Sequence, residues 1–175
     1  MSRNLTATEL KRLHRERRRR TEGRLALVLE DVQNPFNVGA IVRTAAAMSI
    51  DHVWLVGATP PLSHPKVQKT ALGTQRFLTW TSLDAIAGAV ADAHEVGYAV
   101  VGVELAEGAV PLPELDLPRD VALVMGHEDR GLSKHALPIC DHLAYIPQLG
   151  KIASLNVATA AAIAVYEVRR RAWSD

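Results

Sequence analysis

Three stretches of this sequence set polar side chains among glycines and alanines, as a reaction site would require. In NPFNVGAIVRTAAAM (34–48), Asn37 is placed to cap a helix from Val38 to about Met48. Gly39 and Ala40 leave room for close approach in its first turn, and Arg43 follows Gly39 by about one turn on the same side. A planar guanidinium on a nearly bare face can grip a phosphate or carboxylate through two N–H groups. The same spacing suits a surface arginine on an Ala-rich core helix, and spacing alone does not choose between them. In MGHEDRGLS (125–133), an apolar run ends at Gly126, Glu128 follows in the turn, and Gly131 supplies a backbone conformation that residues with side chains resist. That is either a ligand site at the end of a parallel strand or a hydrophilic connecting turn. In IPQLGKIASLNVATAAAIAVYEV (146–168), Pro147 ends a strand, Gly150 bends the chain, and Ser154 and Asn156 bring a hydroxyl and an amide to a helix start. Free N–H groups there can hold an anion or a base edge, or Ser154 can be only an N-cap. Ala158, Ala160, Ala161, Ala162 and Ala164 leave this helix little bulk, so another helix, another subunit or a ligand must approach it closely.

These segments need a frame. Residues 24–30, 52–57, 97–105, 121–126 and 142–147 are short apolar runs of buried-strand type, with FLTW (77–80) as a briefer one. Helical patterns alternate with them: 38–48, one or two turns around KVQKTALG closed by Gly73, a helix capped by Ser82 and running to about Glu95, and a last one over roughly 154–172. The Pro-rich segment 108–119 reads as loop. Alternating strands and helices predict an α/β fold with a mostly parallel sheet, helices on both faces, and a ligand site at the C-terminal ends of the strands.

The 175 residues, 48% apolar, fit one domain able to bury a core without staples. The single Cys140 excludes an internal disulfide, and the histidines do not fall at zinc-site spacings, so no metal is expected. No run nears the roughly 18 apolar residues of a membrane span, and the basic N-terminus lacks the apolar core of a signal peptide. A cytoplasmic setting follows. The net charge of +1 hides an asymmetry: residues 1–24 hold nine Lys or Arg against three Glu, leaving −5 on the remainder. A basic helical arm (1–23) therefore precedes the body (24–175), and Arg12, Arg15, Arg17, Arg18, Arg19 and Arg20 suit contact with a phosphate backbone, or else a solvated terminus. Neither G-x-G-x-x-G after a strand nor G-x-x-x-x-G-K-[ST] occurs, which argues against a nicotinamide oxidoreductase and against a P-loop enzyme.

In order, spacing and wording the three stretches resemble the motifs of the SpoU/TrmH branch of the SPOUT superfamily of RNA ribose methyltransferases: N-x-G-A-I-x-R, G-x-E-x-x-G-L-S and I-P-x-x-G-x-x-x-S-L-N-V. The likeness covers about residues 25–170, and KTALGTQRF (69–77) resembles the segment between the motifs in tRNA-directed members. The resemblance implies a C-terminal segment threaded into a deep trefoil knot that holds S-adenosylmethionine. It implies Leu105, Gly126, Ile146 and Leu155 around that cofactor, and Arg43, Glu128, Ser154, Asn156 and Asn37 as the catalytic set. Arg43 matches the catalytic arginine, expected to orient an RNA phosphate and stabilise the incipient alkoxide. A homodimer is implied in which the last helix and the first motif pack across the interface.

The expected activity is 2′-O-methylation of RNA ribose, with the D-loop guanosine of tRNA (position 18) as the leading substrate. The tRNA wobble nucleotide and ribosomal RNA are the alternatives within that chemistry, and a non-catalytic RNA-binding protein is the alternative of another class. A separate N-terminal substrate domain, common in ribosomal-RNA members, does not fit in 24 residues, which favours tRNA.

Overall fold

Leu25–Glu30 (β1) is a run of six residues buried on both sides of a sheet; its first five are apolar, as a strand so placed requires, and Glu30 closes it. The computed structural model describes residues 3–173 and builds around this strand a seven-stranded sheet in the order β3-β2-β1-β6-β4-β7-β5. The other strands are Val53–Val56 (β2), Trp80–Leu83 (β3), Ala99–Val103 (β4), Val110–Pro111 (β5), Val121–Met125 (β6) and His142–Tyr145 (β7). Every pairing is parallel. From β1 the chain winds outward through β2 to β3, and the later strands fill the other half, so the order reverses beside β1 and β6. Ligands of open α/β sheets sit beyond the strand ends at such a reversal.

Helices cover both faces, as the alternating pattern predicts. On one face Pro35–Ala47 (α2), Pro65–Ala71 (α3) and Val157–Arg171 (α5) pack on Leu27, Leu29, Leu123 and Met125. On the other, Ile86–Glu95 (α4) packs on Ala26, Val28, Ala122 and Val124. The small residues of α5 have much of their partner inside this chain, because Ala161 and Ala164 are buried in the core that α5 shares with α2 and β1.

Ala7–Arg20 (α1) is the basic arm. Thr6 and Glu9 form a capping box, with Thr6 N–H donating to the Glu9 carboxylate at 2.8 Å and Glu9 N–H to Thr6 Oγ1 at 3.3 Å. No residue of α1 is buried. Its junction with the body is firmer: the buried Arg169 guanidinium donates to the carbonyls of Gly23, Met48 and Ser49.

Several local expectations need correction. Asn34, not Asn37, caps α2: its Oδ1 accepts from Phe36 N–H at 2.9 Å, and Pro35 occupies the first helical position, where a missing N–H costs nothing. Ser82 caps no helix. It lies inside β3, paired with Leu55, and α4 starts after Ala85 without a side-chain cap. The strand expected at 77–80 lies at Trp80–Leu83, because β2 offers its partners there, and the Pro-rich loop contributes the short edge strand β5. Gly39 does admit a close neighbour, but the neighbour is α3: a Cβ there would lie 2.6 Å from Thr70 Cβ and 2.7 Å from the Val67 carbonyl oxygen. Among the described residues, no helix is long and apolar enough to cross a membrane, and no His, Cys, Asp and Glu cluster could hold a metal ion.

Candidate active site

Beyond β6 the chain turns back within Gly126–Ser133, closed by His127 N–H to Gly131 O at 3.0 Å and Gly131 N–H to His127 O at 2.9 Å. A side chain on Gly126 would fall on the Gly131 carbonyl, so the turn closes only around glycine. Gly131 itself sits at φ 66°, the left-handed conformation expected of it. Three carboxylates hold this loop from three directions. Glu30, 5% exposed at the end of β1, accepts from Ser133 Oγ at 2.6 Å and Ser133 N–H at 3.0 Å. Glu104, just past β4, accepts from Leu132 N–H at 3.0 Å. Glu128, from the loop, accepts from Asn34 N–H at 2.9 Å and Gln33 N–H at 3.2 Å.

A single hydrogen-bonded chain joins the three motifs. Asn156 caps α5, its Oδ1 accepting from Ala158 and Thr159 N–H, and its Nδ2 donates to Asn37 Oδ1 at 3.1 Å. Asn37 Nδ2 donates in turn to Glu128 Oε1 at 3.0 Å. Each amide has one end committed on either side, so the two rotamers and the carboxylate fix one another. Burial would raise the Glu128 pKa, but the bonds from Asn37 and from the backbone of Asn34 and Gln33 outweigh it and hold the carboxyl below its ordinary value. At neutral pH Glu128 is an anion that accepts and does not donate. The alternative of Ser154 as an N-cap is excluded, since Asn156 holds that position.

Two adjoining clefts flank this chain. One, of about 630 Å³, runs over the C-terminal ends of β4, β6 and β7, and Leu105, Gly126, Ile146 and Leu155 all line it. The other, of about 660 Å³, is walled by Gln33, Asn34, Asn37 and Asn156. They share His127, Glu128, Asp129, Ser154, Leu155 and Val157, so Glu128 and Ser154 stand where ligands of the two would meet.

Arg43 stands apart: it is exposed on α2 and lines neither cleft. The arm arginines lie away from the clefts too. Arg12 pairs with Glu16 at 2.9 Å, Arg17 lies over the Trp173 ring at 5.6 Å, and Arg15, Arg18, Arg19 and Arg20 are exposed. Glu30, Glu104 and Ser133 were missed in the sequence. The available signal was a glutamate closing the otherwise wholly apolar run LALVLE.

Residues 24–166 match the SpoU rRNA Methylase family. The tRNA (guanosine(18)-2′-O)-methyltransferase of Escherichia coli K12 is 32% identical over 147 residues, 84% of this chain and 63% of the relative. An AdoMet-bound rRNA methyltransferase from Sinorhizobium meliloti superposes with a TM-score of 0.81 at 31% identity, over 89% of this chain and 59% of that one. A structure described in terms of the 2-OH methylation of C/U34 on tRNA gives a TM-score of 0.75 at 31% identity, over 85% of this chain and 96% of that one. The chain spans 55%, 60% and 63% of the length of three curated relatives it matches. On the match over residues 24–166, the chain belongs to the SpoU rRNA Methylase family, and the paired clefts are its candidate reaction site.

Proposed function

We propose that the protein transfers a methyl group from S-adenosylmethionine to a ribose 2′-hydroxyl of RNA in the cytoplasm, with guanosine 18 of the tRNA D-loop as the leading substrate. The observation that carries this reading is the Asn156–Asn37–Glu128 chain standing between two clefts, one for each reactant. The cleft of about 630 Å³ fits the cofactor by its size, by apolar walls from Leu105, Ile146 and Leu155, and by a floor at Gly126 that a side chain would disrupt. The segment 146–156 is proposed to be the threaded part of a trefoil knot over this cleft. Bound there, the cofactor supplies an electrophilic methyl group on a positive sulfur.

The residues of the chain then position and stabilise. Asn156 and Asn37 hold Glu128 in one orientation, and Ser154 lines both clefts. Alignment of the reacting atoms supplies most of the rate where the transferred group itself offers little to bind. Arg43 lines neither cleft of its own chain and lies on α2, on the same side of the sheet as exposed Phe36, Ile163 and Tyr166 of α2 and α5. A homodimer packed through these two helices would cover that apolar surface and carry Arg43 to the cleft of the second copy. A guanidinium keeps its proton, so Arg43 acts there by binding phosphate and stabilising the developing alkoxide, not as a base. The arm, residues 1–23, adds backbone contacts.

The test is methyl transfer from labelled S-adenosylmethionine to unmodified bulk tRNA, followed by nucleoside analysis. A 2′-O-methylguanosine mapped to the D-loop is expected, with Arg43→Ala lowering turnover about 100-fold or more at nearly unchanged cofactor affinity. A wobble-nucleotide product is the second reading, favoured by the match to 96% of the C/U34-directed chain. No label in tRNA or ribosomal RNA, despite cofactor binding, would overturn the proposal.

A further inference from the structure

Outside the clefts and the arm, one surface combines exposed aromatic area with unopposed positive charge. It is made by α3 and the 3-10 turn Thr74–Phe77 that follows it, both packed against α2. Phe77 is 67% exposed, with the Arg76 guanidinium 4.8 Å from its ring centroid. Leu72 closes α3 in the left-handed conformation at φ 51°, where glycine is usual, yet its side chain remains 66% exposed. The chain accepts that strain and gains no burial of its own in return.

The charge distribution selects the kind of partner. Residues 32–50 and 58–83 contain no Asp or Glu, although residues 25–175 as a whole are net −5. Their cations are Arg43, Lys66, Lys69 and Arg76, all exposed, and among the described residues none forms an ion pair. An acid-free basic lobe on an acidic body attracts phosphates locally and disfavours an identical basic lobe. An exposed ring beside a guanidinium offers a nucleobase a face to stack on, and stacking of that kind tolerates any base. The lobe is also connected to the reaction site. Asn37 stands at the cleft, Arg43 lies six residues further along the same helix, about 9 Å at 1.5 Å per residue, and α3 flanks that helix at Gly39.

We propose that α3 and the Thr74–Phe77 turn form a second RNA-contact surface, on which an unpaired base stacks against Phe77 while Arg76, Lys69 and Lys66 meet the adjoining phosphates. The inference rests on the reading of the protein as an RNA methyltransferase and assigns part of its substrate recognition to this segment. An A-form duplex offers no free base face, so the Phe77 contribution is confined to unpaired nucleotides.

Binding of unmodified tRNA and of a perfect RNA duplex is measured against salt for the wild type, Phe77→Ala, Phe77→Trp and the double variant Lys69→Gln/Arg76→Gln, with melting temperature and S-adenosylmethionine affinity as controls. Phe77→Ala should weaken tRNA binding about tenfold, leave duplex binding unchanged and be rescued by Phe77→Trp. The double variant should lower the slope of log K against log[salt] by about one to two. Unchanged tRNA affinity and slope in variants that melt normally would overturn the inference. So would a loss of dimer mass in Phe77→Ala without an effect on RNA, since the surface would then join subunits. Neither readout needs methyl transfer. A wild type that binds tRNA through Phe77 but transfers no methyl group removes only the proposed activity, and one that methylates tRNA with Phe77→Ala binding normally removes only this surface.

Discussion

The two walls of the cleft over β4, β6 and β7 are built on opposite plans. The wall at residues 126–133 is tied by its own backbone pair and by three carboxylates from β1, the end of β4 and the loop itself. Opposite it, residues 147–155 take part in no hydrogen bond among the described residues, and Leu149 is fully exposed. Only at Asn156 does the second wall join the network of the first. We expect the first wall to be set before any ligand arrives and the second to be free to order on it, so that the ordering cost of binding falls on the second.

The largest test strikes the set wall. Gly126→Ala places a methyl group on the Gly131 carbonyl, and overpacking of that kind costs about 1–3 kcal/mol. The variant should melt several degrees lower and lose S-adenosylmethionine affinity about 100-fold by calorimetry; near-normal affinity would mean that both walls are adjustable. Glu128→Gln should have an intermediate effect, lowering turnover about tenfold to 100-fold while cofactor affinity changes little. Because the folded carboxyl titrates below its ordinary 4.5, its stabilisation is complete above that value and is lost as pH falls through the lower folded value. The melting-temperature gap between wild type and Glu128→Gln should therefore be constant at pH 6–8 and close below 4.5; a gap that widens in acid would refute the assignment.

The smallest effects belong to the free wall. Leu149→Ser should alter stability by less than about 0.5 kcal/mol. In hydrogen exchange, amides of 147–155 should exchange quickly in the free protein and slow when S-adenosylmethionine is added, whereas those of 126–133 are protected throughout. Equal protection of both segments in the free protein would erase the contrast.

The sequence is legible where one physical demand acts alone. Strands buried on both faces must be apolar, so LALVLE and VALVMG declare themselves, and Gly131 marks its own positive φ. It is less legible where two residues compete for one role. Asn34 and Asn37 can each cap a helix, and only the chance for Asn37 to bridge Asn156 and Glu128 separates them. Ser82 looks like a cap until β2 requires it as a strand partner. Glu30 was hidden because a carboxylate at the end of a buried strand has meaning only once Ser133, 103 residues away in sequence, is beside it. Arg43 carries the opposite lesson: its motif pointed to chemistry, but its position within one chain lies outside both clefts.

The Arg169 junction bears on how the molecule comes into being. Its guanidinium reaches back over 146 residues to the Gly23 carbonyl, and the helix that carries it covers the apolar faces of α2 and β1. At about 5–20 residues per second, synthesis of that intervening stretch takes roughly 7–30 seconds, during which β1 and α2 have emerged but their cover has not. Contacts so distant in sequence also close slowly once the chain is free. The nascent chain therefore leaves its central strand uncovered while the residues between β1 and α5 are made, and the strand should become protected only when α5 emerges.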